Sequence, residues 1–233
     1  MTMSPHPPVR PPVLLVSGAG LPAWVWDGTR AALADTHAST VAARPTPVST
    51  ARLPDYVEAA VAAAPPGRFA VVAHSSGGLV GAEVARLLPD RVVALLAVCA
   101  VVPGPGGSFL SAMPAPQRWV LRAAMRVAGT RPPDSAVRRG LAAGLDRTAT
   151  ERLLTDLTAE SARLYRDGTT RAPLPVRRGY VRTSRDRELP TPLQERFAER
   201  LDASWCADLD TGHLPMLERP DATADTIRRF LAA

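Results

Sequence analysis

The 233-residue chain has no lysine, no asparagine and a single isoleucine, Ile227. All 28 residues in the Lys+Arg count are therefore arginine, and alanine and proline are heavily used. That composition reads as GC-rich coding, as in a bacterial gene, so the net charge of +6 says little about partners. The arginines are scattered, apart from pairs such as Arg138–Arg139, Arg177–Arg178 and Arg228–Arg229. No aromatic residues alternate with them as a base-stacking surface requires, which argues against nucleic acid as a partner. The two cysteines, Cys99 and Cys206, match no paired-ligand spacing, so neither a disulfide framework nor a zinc module organises the fold. Long apolar runs are missing as well. The longest, Val92–Val102, is far short of the ~20 residues that span a bilayer. Met1–Pro12 is proline-rich and lacks the apolar stretch of a signal peptide. A cytoplasmic protein with no membrane partner is the expectation.

What is present fits an ordinary globular chain, 46% hydrophobic and 21% charged. At this length a chain buries about 70% of its unfolded surface and needs no cross-links to fold. Short β-branched runs alternate with alanine-rich helical stretches. Strands are expected at Val13–Ser17, His37–Val41, Arg68–Ala73, Val92–Val102, Val176–Thr183 and Ala203–Leu209. Helices are expected at Trp26–Asp35, Pro54–Ala64, Gly77–Leu88, near Pro192–Leu201 and from Asp221. The alternation implies βαβ units, a mostly parallel sheet of about six strands, and helices on both faces. The rhythm breaks at Pro103-Gly104-Pro105-Gly106-Gly107. Helices alone follow: Gln117–Ala128, Ser135–Ala143 and Thr150–Tyr165, the last entered through a Thr148-x-x-Glu151 capping pattern. The expected organisation is a disordered or extended tail (1–12), an α/β core (13–102 and 176–233) and a small helical insertion (103–175).

The stretch Phe69-Ala70-Val71-Val72-Ala73-His74-Ser75-Ser76-Gly77-Gly78-Leu79 carries the chemistry. A strand enters a sharp turn and a helix starts at once. Such a turn needs small residues two before and two after its apex, because larger side chains collide across the bend. With Ser75 at the apex those positions are Ala73 and Gly77; with Ser76 they would be His74 and Gly78, and His74 is too large. A serine-rich helix N-cap has the same composition.

Read as a nucleophile elbow, the stretch resembles that of the α/β-hydrolase superfamily, with Ala73 in place of the usual first glycine. Ser17-Gly18-Ala19-Gly20-Leu21-Pro22-Ala23-Trp24-Val25-Trp26 is similar to the His-Gly-Ala-x-x-x-x-Trp-x-Trp loop of the plant methyl-ester esterase and hydroxynitrile lyase group. The resemblance implies that the N–H groups of Ala19 and Ser76 form an oxyanion hole. Asp210-Thr211-Gly212-His213-Leu214-Pro215-Met216-Leu217-Glu218-Arg219-Pro220 resembles the family segment that carries the histidine, which points to His213 over His6, His37 and His74. Tyr180 to Pro190 has the family's strand–x–Asp–x–x–x–Pro form and nominates Asp186, with Asp208 and Asp210 as rivals. The order Ser75, Asp186, His213 is the family's order.

The resemblance implies a serine hydrolase acting on a small-molecule ester, lactone or thioester through a Ser-His-Asp triad and an acyl-enzyme, with no cofactor and no metal. The insertion becomes a cap that sets substrate choice. Trp24, Trp119 and Leu214 are the candidate substrate contacts. Two departures stand out. Ser17 replaces the loop histidine, and the absence of lysine argues against the plant hydroxynitrile lyase chemistry, which uses a cap lysine. Thioesterase, acyltransferase, cyclase or carbon–carbon bond hydrolase action, as in secondary metabolism, remains open on the same residues. So do a non-catalytic ligand-binding protein, a homodimer and a carrier-protein partner.

Overall fold

The computed structural model describes residues 10–233. Most of the expected tail, and His6 with it, lies outside the described residues, while Arg10–Pro12 carry no regular element. Six strands form one sheet: β1 (Val13–Val16), β2 (Ser39–Val41), β3 (Phe69–His74), β4 (Val92–Val98), β5 (Arg177–Thr183) and β6 (Trp205–Leu209). Their order is β2-β1-β3-β4-β5-β6 and every pairing is parallel. β1 and β3 are buried along their whole length, as central parallel strands with helices on both faces must be.

On one face lie α2 (Leu53–Ala62), α3 (Gly77–Leu87) and α9 (Thr191–Leu201), packed through Tyr56, Leu79, Val84, Phe197 and Leu201. On the other lie α1 (Asp27–Leu33) and α11 (Pro220–Ala232), packed through Leu33, Ile227 and Phe230. The short α10 (Pro215–Glu218) precedes α11. Between β4 and β5 come only helices: α4 (Phe109–Ala112), α5 (Ala115–Ala128), α6 (Asp134–Arg139), α7 (Arg147–Asp156) and α8 (Ala162–Arg166). Among the described residues no helix is long and apolar enough to cross a membrane.

Several boundaries differ from the sequence reading for identifiable reasons. β4 stops at Val98 rather than Val102, because Cys99 takes a positive φ of 33° and the Val101 N–H turns back to the Ser75 carbonyl at 2.9 Å. The expected helix Thr150–Tyr165 is two helices. Asp146, not Thr148, opens α7, its carboxylate accepting the Ala149 N–H at 2.7 Å. The chain then leaves the helix at Leu157 so that the Thr158 N–H reaches the Gly20 carbonyl, and Ser161 caps α8. α6 ends at Arg139, short of the expected Ala143. The region Trp26–Asp35 opens with a 3₁₀ turn at Ala23–Trp26 before α1 begins.

The parallel pairing puts the carboxyl ends of β3, β5 and β6 at the same end of the sheet, with β4 between β3 and β5. Ser75 follows β3 directly, Asp186 lies three residues after β5, and His213 four residues after β6. Clefts outside the carboxyl ends of strands are where open parallel sheets gather ligand-binding groups.

Candidate active site

Ser75 sits at the apex of the β3–α3 turn with φ 53°, in the left-handed region that non-glycine residues rarely adopt. The small neighbours are required as the sequence suggested. A Cβ on Gly77 would lie 2.6 and 2.7 Å from the Ser17 and Val16 carbonyl oxygens, and one on Gly78 would lie 2.6 Å from the Val101 carbonyl. Glycine here lets α3 press against the ends of β1 and β4 while the serine is lifted above the sheet.

The structure brings the three nominated side chains into one hydrogen-bonded chain. His213 Nδ1 lies 2.7 Å from Asp186 Oδ2, and His213 Nε2 lies 2.9 Å from Ser75 Oγ. A carboxylate only accepts, so Nδ1 carries the hydrogen and Nε2 is left to accept the Ser75 hydroxyl. Asp186 and His213 are both buried. Asp186 also accepts the Thr183 hydroxyl at 2.9 Å and the backbone N–H groups of Glu188 and Leu189 at 2.8 and 2.9 Å. Burial alone would push its carboxyl up. The facing His213 and these N–H donors outweigh burial and hold it below the ordinary carboxylate range.

For His213, burial alone would lower the pKa, but the Cys99 sulfur and the Asp186 carboxylate raise it well above the ordinary 6.5. Burial keeps the Cys99 thiol protonated at neutral pH, so the Asp186 charge is the cause that acts there. The rival acids are engaged at the surface: Asp208 pairs with Arg182, and Asp210 with Arg185 and the Ser184 hydroxyl. His37 is tied to the Pro11 carbonyl. His74 is fully buried and its Nε2–H donates to the His213 carbonyl at 2.8 Å, which helps fix the His213 loop. The Gly212 N–H donating to Glu218 at 2.9 Å fixes it from the other side.

Ala19 and Ser76 both line the cavity that opens over Ser75. Among the described residues neither N–H has a protein acceptor. Ser17, in place of the loop histidine, accepts the Trp26 indole N–H at 3.0 Å and so braces the loop from below. The cavity holds about 400 Å³ and is walled mainly by apolar groups of the helical segment, among them Met113, Leu121, Met125, Val137 and Tyr165.

The three expected substrate contacts are not in that wall. Trp119 is 65% exposed on the outer side of α5, where it lines a surface groove with Arg122 and Arg126. Trp24 donates its indole N–H to Asp156 at 2.8 Å beneath the Arg152 guanidinium, and Leu214 is buried in the core under α11. Two charged groups that sequence reasoning passed over do belong to the site. Glu188 lines the cavity, and burial pushes its carboxyl above the ordinary range although water still reaches it. Glu160 is buried behind the Gly18–Leu21 loop. The pattern Asp186-x-Glu188 after a strand was the only available signal for the first. Nothing local marks the second.

Donor atoms of His74, Cys99 and His213 lie within 4.8 Å of one another. Both ring nitrogens of His213 are already committed, so a cation held there would break its bond to Asp186 or to Ser75.

A family model described as "Alpha/beta hydrolase family" matches residues 13–226. Among solved structures, an extracellular α/β-hydrolase from a Paenibacillus species is 16% identical with a TM-score of 0.83, covering 94% of this chain and 98% of that one. Its description gives it structural and functional homology to tobacco salicylic acid binding protein 2. A pyrethroid hydrolase is 17% identical with a TM-score of 0.79, covering 96% and 98%. A methylesterase protein from Arabidopsis is 17% identical with a TM-score of 0.74, covering 95% and 99%. At such identities the likeness is one of fold. No curated protein matches the chain significantly.

Proposed function

The chain belongs to the alpha/beta hydrolase family, and from that membership and the geometry above we propose that it is a serine hydrolase cleaving carboxylic esters or lactones. The observation that carries the proposal is the unbroken chain Asp186–His213–Ser75, with bonds of 2.7 and 2.9 Å, ending on a serine in a strained turn.

Ser75 Oγ attacks the substrate carbonyl while His213 Nε2 takes its proton. Asp186 keeps Nδ1 protonated, so that Nε2 is the free base, and stabilises the imidazolium that forms. The carbonyl oxygen becomes an oxyanion held by the N–H groups of Ala19 and Ser76, and that neither has another acceptor among the described residues supports this role. A donor of this kind contributes about 2.7–4 kcal/mol to the transition state. The tetrahedral intermediate collapses, the C–O bond to the leaving alcohol breaks, and His213 protonates that alcohol. An acyl group remains on Ser75. Water, deprotonated by His213, then attacks the acyl carbonyl and releases the acid.

The segment 103–175 acts as the cap. Its apolar inner wall favours an uncharged acyl or alcohol portion small enough for about 400 Å³. Two of the similar structures are named a methylesterase and a pyrethroid hydrolase, and these names agree with the proposal.

Hydrolysis of p-nitrophenyl esters of increasing acyl length by the wild-type protein and by Ser75→Ala tests it. Turnover that disappears in the variant is expected. Equal rates in the two proteins would overturn the proposal.

A further inference from the structure

The Gly18–Leu21 loop is fastened from the cap side by a buried carboxylate. Glu160 lies between α7 and α8 and is 6% exposed. Its Oε1 accepts the Gly20 N–H at 2.8 Å, and its Oε2 accepts the Tyr56 hydroxyl at 2.6 Å. Arg44 Nη1 lies 3.4 Å from Oε1, and Tyr56 Oη in turn accepts the Ser161 N–H at 3.2 Å. The Glu160 backbone is held too, its N–H donating to Thr130 Oγ1 at 3.0 Å and its carbonyl accepting the Thr130 hydroxyl at 2.5 Å. Burying a carboxylate is costly unless several donors face it, and here they do.

The position of these bonds along the loop is informative. Three consecutive peptide units are fixed one after another. The Gly18–Ala19 unit, which carries the Ala19 N–H, has its carbonyl held by the Leu21 N–H at 3.3 Å. The Ala19–Gly20 unit has its N–H held by Glu160 at 2.8 Å. The Gly20–Leu21 unit has its carbonyl held by the Thr158 N–H at 3.1 Å. A peptide unit is rigid, so the Leu21 N–H bond to the Gly18 carbonyl sets the plane in which the Ala19 N–H lies, and the Glu160 bond to the Gly20 N–H anchors the adjoining unit, which limits rotation about the Ala19 φ and ψ between the two. Gly20 itself has a φ of 71°, and a Cβ there would collide with the Thr158 carbonyl. The loop therefore rests directly on the cap backbone.

We propose that Glu160 is a positioning residue for the oxyanion hole: by holding the Gly20 N–H it aims the Ala19 N–H at the developing oxyanion. The inference rests on the serine-hydrolase reading above. It makes the cap a part of the catalytic geometry as well as a wall of the cavity.

Glu160→Gln and Glu160→Asp separate reach from charge. The first keeps an oxygen within reach of Gly20 and removes the charge, and the second keeps the charge and is one methylene too short. Each is assayed on p-nitrophenyl acetate and with an aryl trifluoromethyl ketone, which adds Ser75 Oγ to its carbonyl and places an oxyanion in the hole. Glu160→Asp is expected to lower kcat about tenfold to a hundredfold with KM within about twofold of wild type, and to weaken the ketone by the same factor. Glu160→Gln is expected to keep kcat and ketone affinity within about threefold. Tyr56→Phe, which leaves the Gly20 bond intact, is expected to do the same.

The proposal is overturned if Glu160→Asp is active and Glu160→Gln is not, since charge would then be the property that counts. It is also overturned if kcat falls while ketone affinity stays, since the hole would then be intact. If the wild type neither turns over the ester nor binds the ketone, and Ser75→Ala behaves identically, the hydrolase reading falls and takes this inference with it.

Discussion

His213 Nδ1 and Asp186 Oδ2 face each other at 2.7 Å, both buried, just beyond the ends of the neighbouring strands β6 and β5. The pair sets the tautomer of His213. Replacing Asp186 by Asn leaves the shape and removes the acceptor that selects Nδ1–H. A fall in kcat of about 10⁴-fold is expected, because the ring then presents the wrong nitrogen to Ser75. Asp208→Asn and Asp210→Asn, at the exposed pairs with Arg182 and Arg185, are expected to stay within about twofold. Steady-state kinetics of the three variants checks this.

The same pair predicts the pH profile. Only the neutral imidazole accepts the Ser75 proton, and the Asp186 carboxylate acts against burial to raise the His213 pKa above the ordinary 6.5. The rising limb of kcat/KM is therefore expected above pH 6.5. An inflection in the free enzyme below pH 6 would contradict that ordering.

Stability in acid is expected to depend on His74. Burial, with the nearby His213 adding to it, holds the His74 pKa down to about 3, and among the described residues its Nδ1 has no partner. The unfolded chain takes up this proton near pH 6.5. The folded chain does so only near pH 3, so the contribution is complete above pH 6.5 and is lost as pH falls toward 3. The slope is at most about 1.4 kcal/mol per pH unit. Urea midpoints between pH 7 and 4 are expected to fall less steeply for His74→Gln than for wild type.

The close contacts of the elbow predict a contrast between two glycines. Gly77→Ala places a Cβ against two backbone oxygens, whereas Gly104→Ala meets nothing within 4 Å among the described residues. Overpacking against backbone costs about 1–3 kcal/mol, which is several degrees in Tm at this size. Gly104→Ala is expected to melt with wild type. Differential scanning calorimetry distinguishes them.

Trp119 provides a test of which face of α5 is inward. Trp119→Ala is expected to leave kcat/KM within about twofold, because the ring is exposed away from the cavity. Ala124→Phe, on the cavity side, is expected to reject long acyl chains while acetate turnover persists. A loss of acetate turnover in Trp119→Ala would show the opposite orientation.

The elbow was legible because a tight strand-to-helix turn restricts which residue types fit on both sides of its apex, and Ala73 and Gly77 flank Ser75 within one short stretch of sequence. His213 and Asp186 were nominated through their resemblance to the family's segments, each of which follows a recognisable strand. The inward face of α5 was not. Val120, Leu121 and Ala124 lie on one side and Trp119, Ala123 and Val127 on another, so both sides carry apolar residues and periodicity alone does not choose between them. The break between α7 and α8 was hidden too, since Thr158-Ala159-Glu160 contains no breaker and the chain leaves the helix for bonds to Gly20, far away in sequence. Glu160 went unnoticed for the same reason, since its donors come from Gly20, Arg44 and Tyr56 and only folding assembles them.

The most direct test of the account is the intact mass of the protein after incubation with a fluorophosphonate, followed by peptide mapping. The account predicts one adduct, on Ser75, absent in Ser75→Ala and formed far more slowly in His213→Ala. A folded protein that takes up no label, or that is labelled at Ser76 instead, would contradict it.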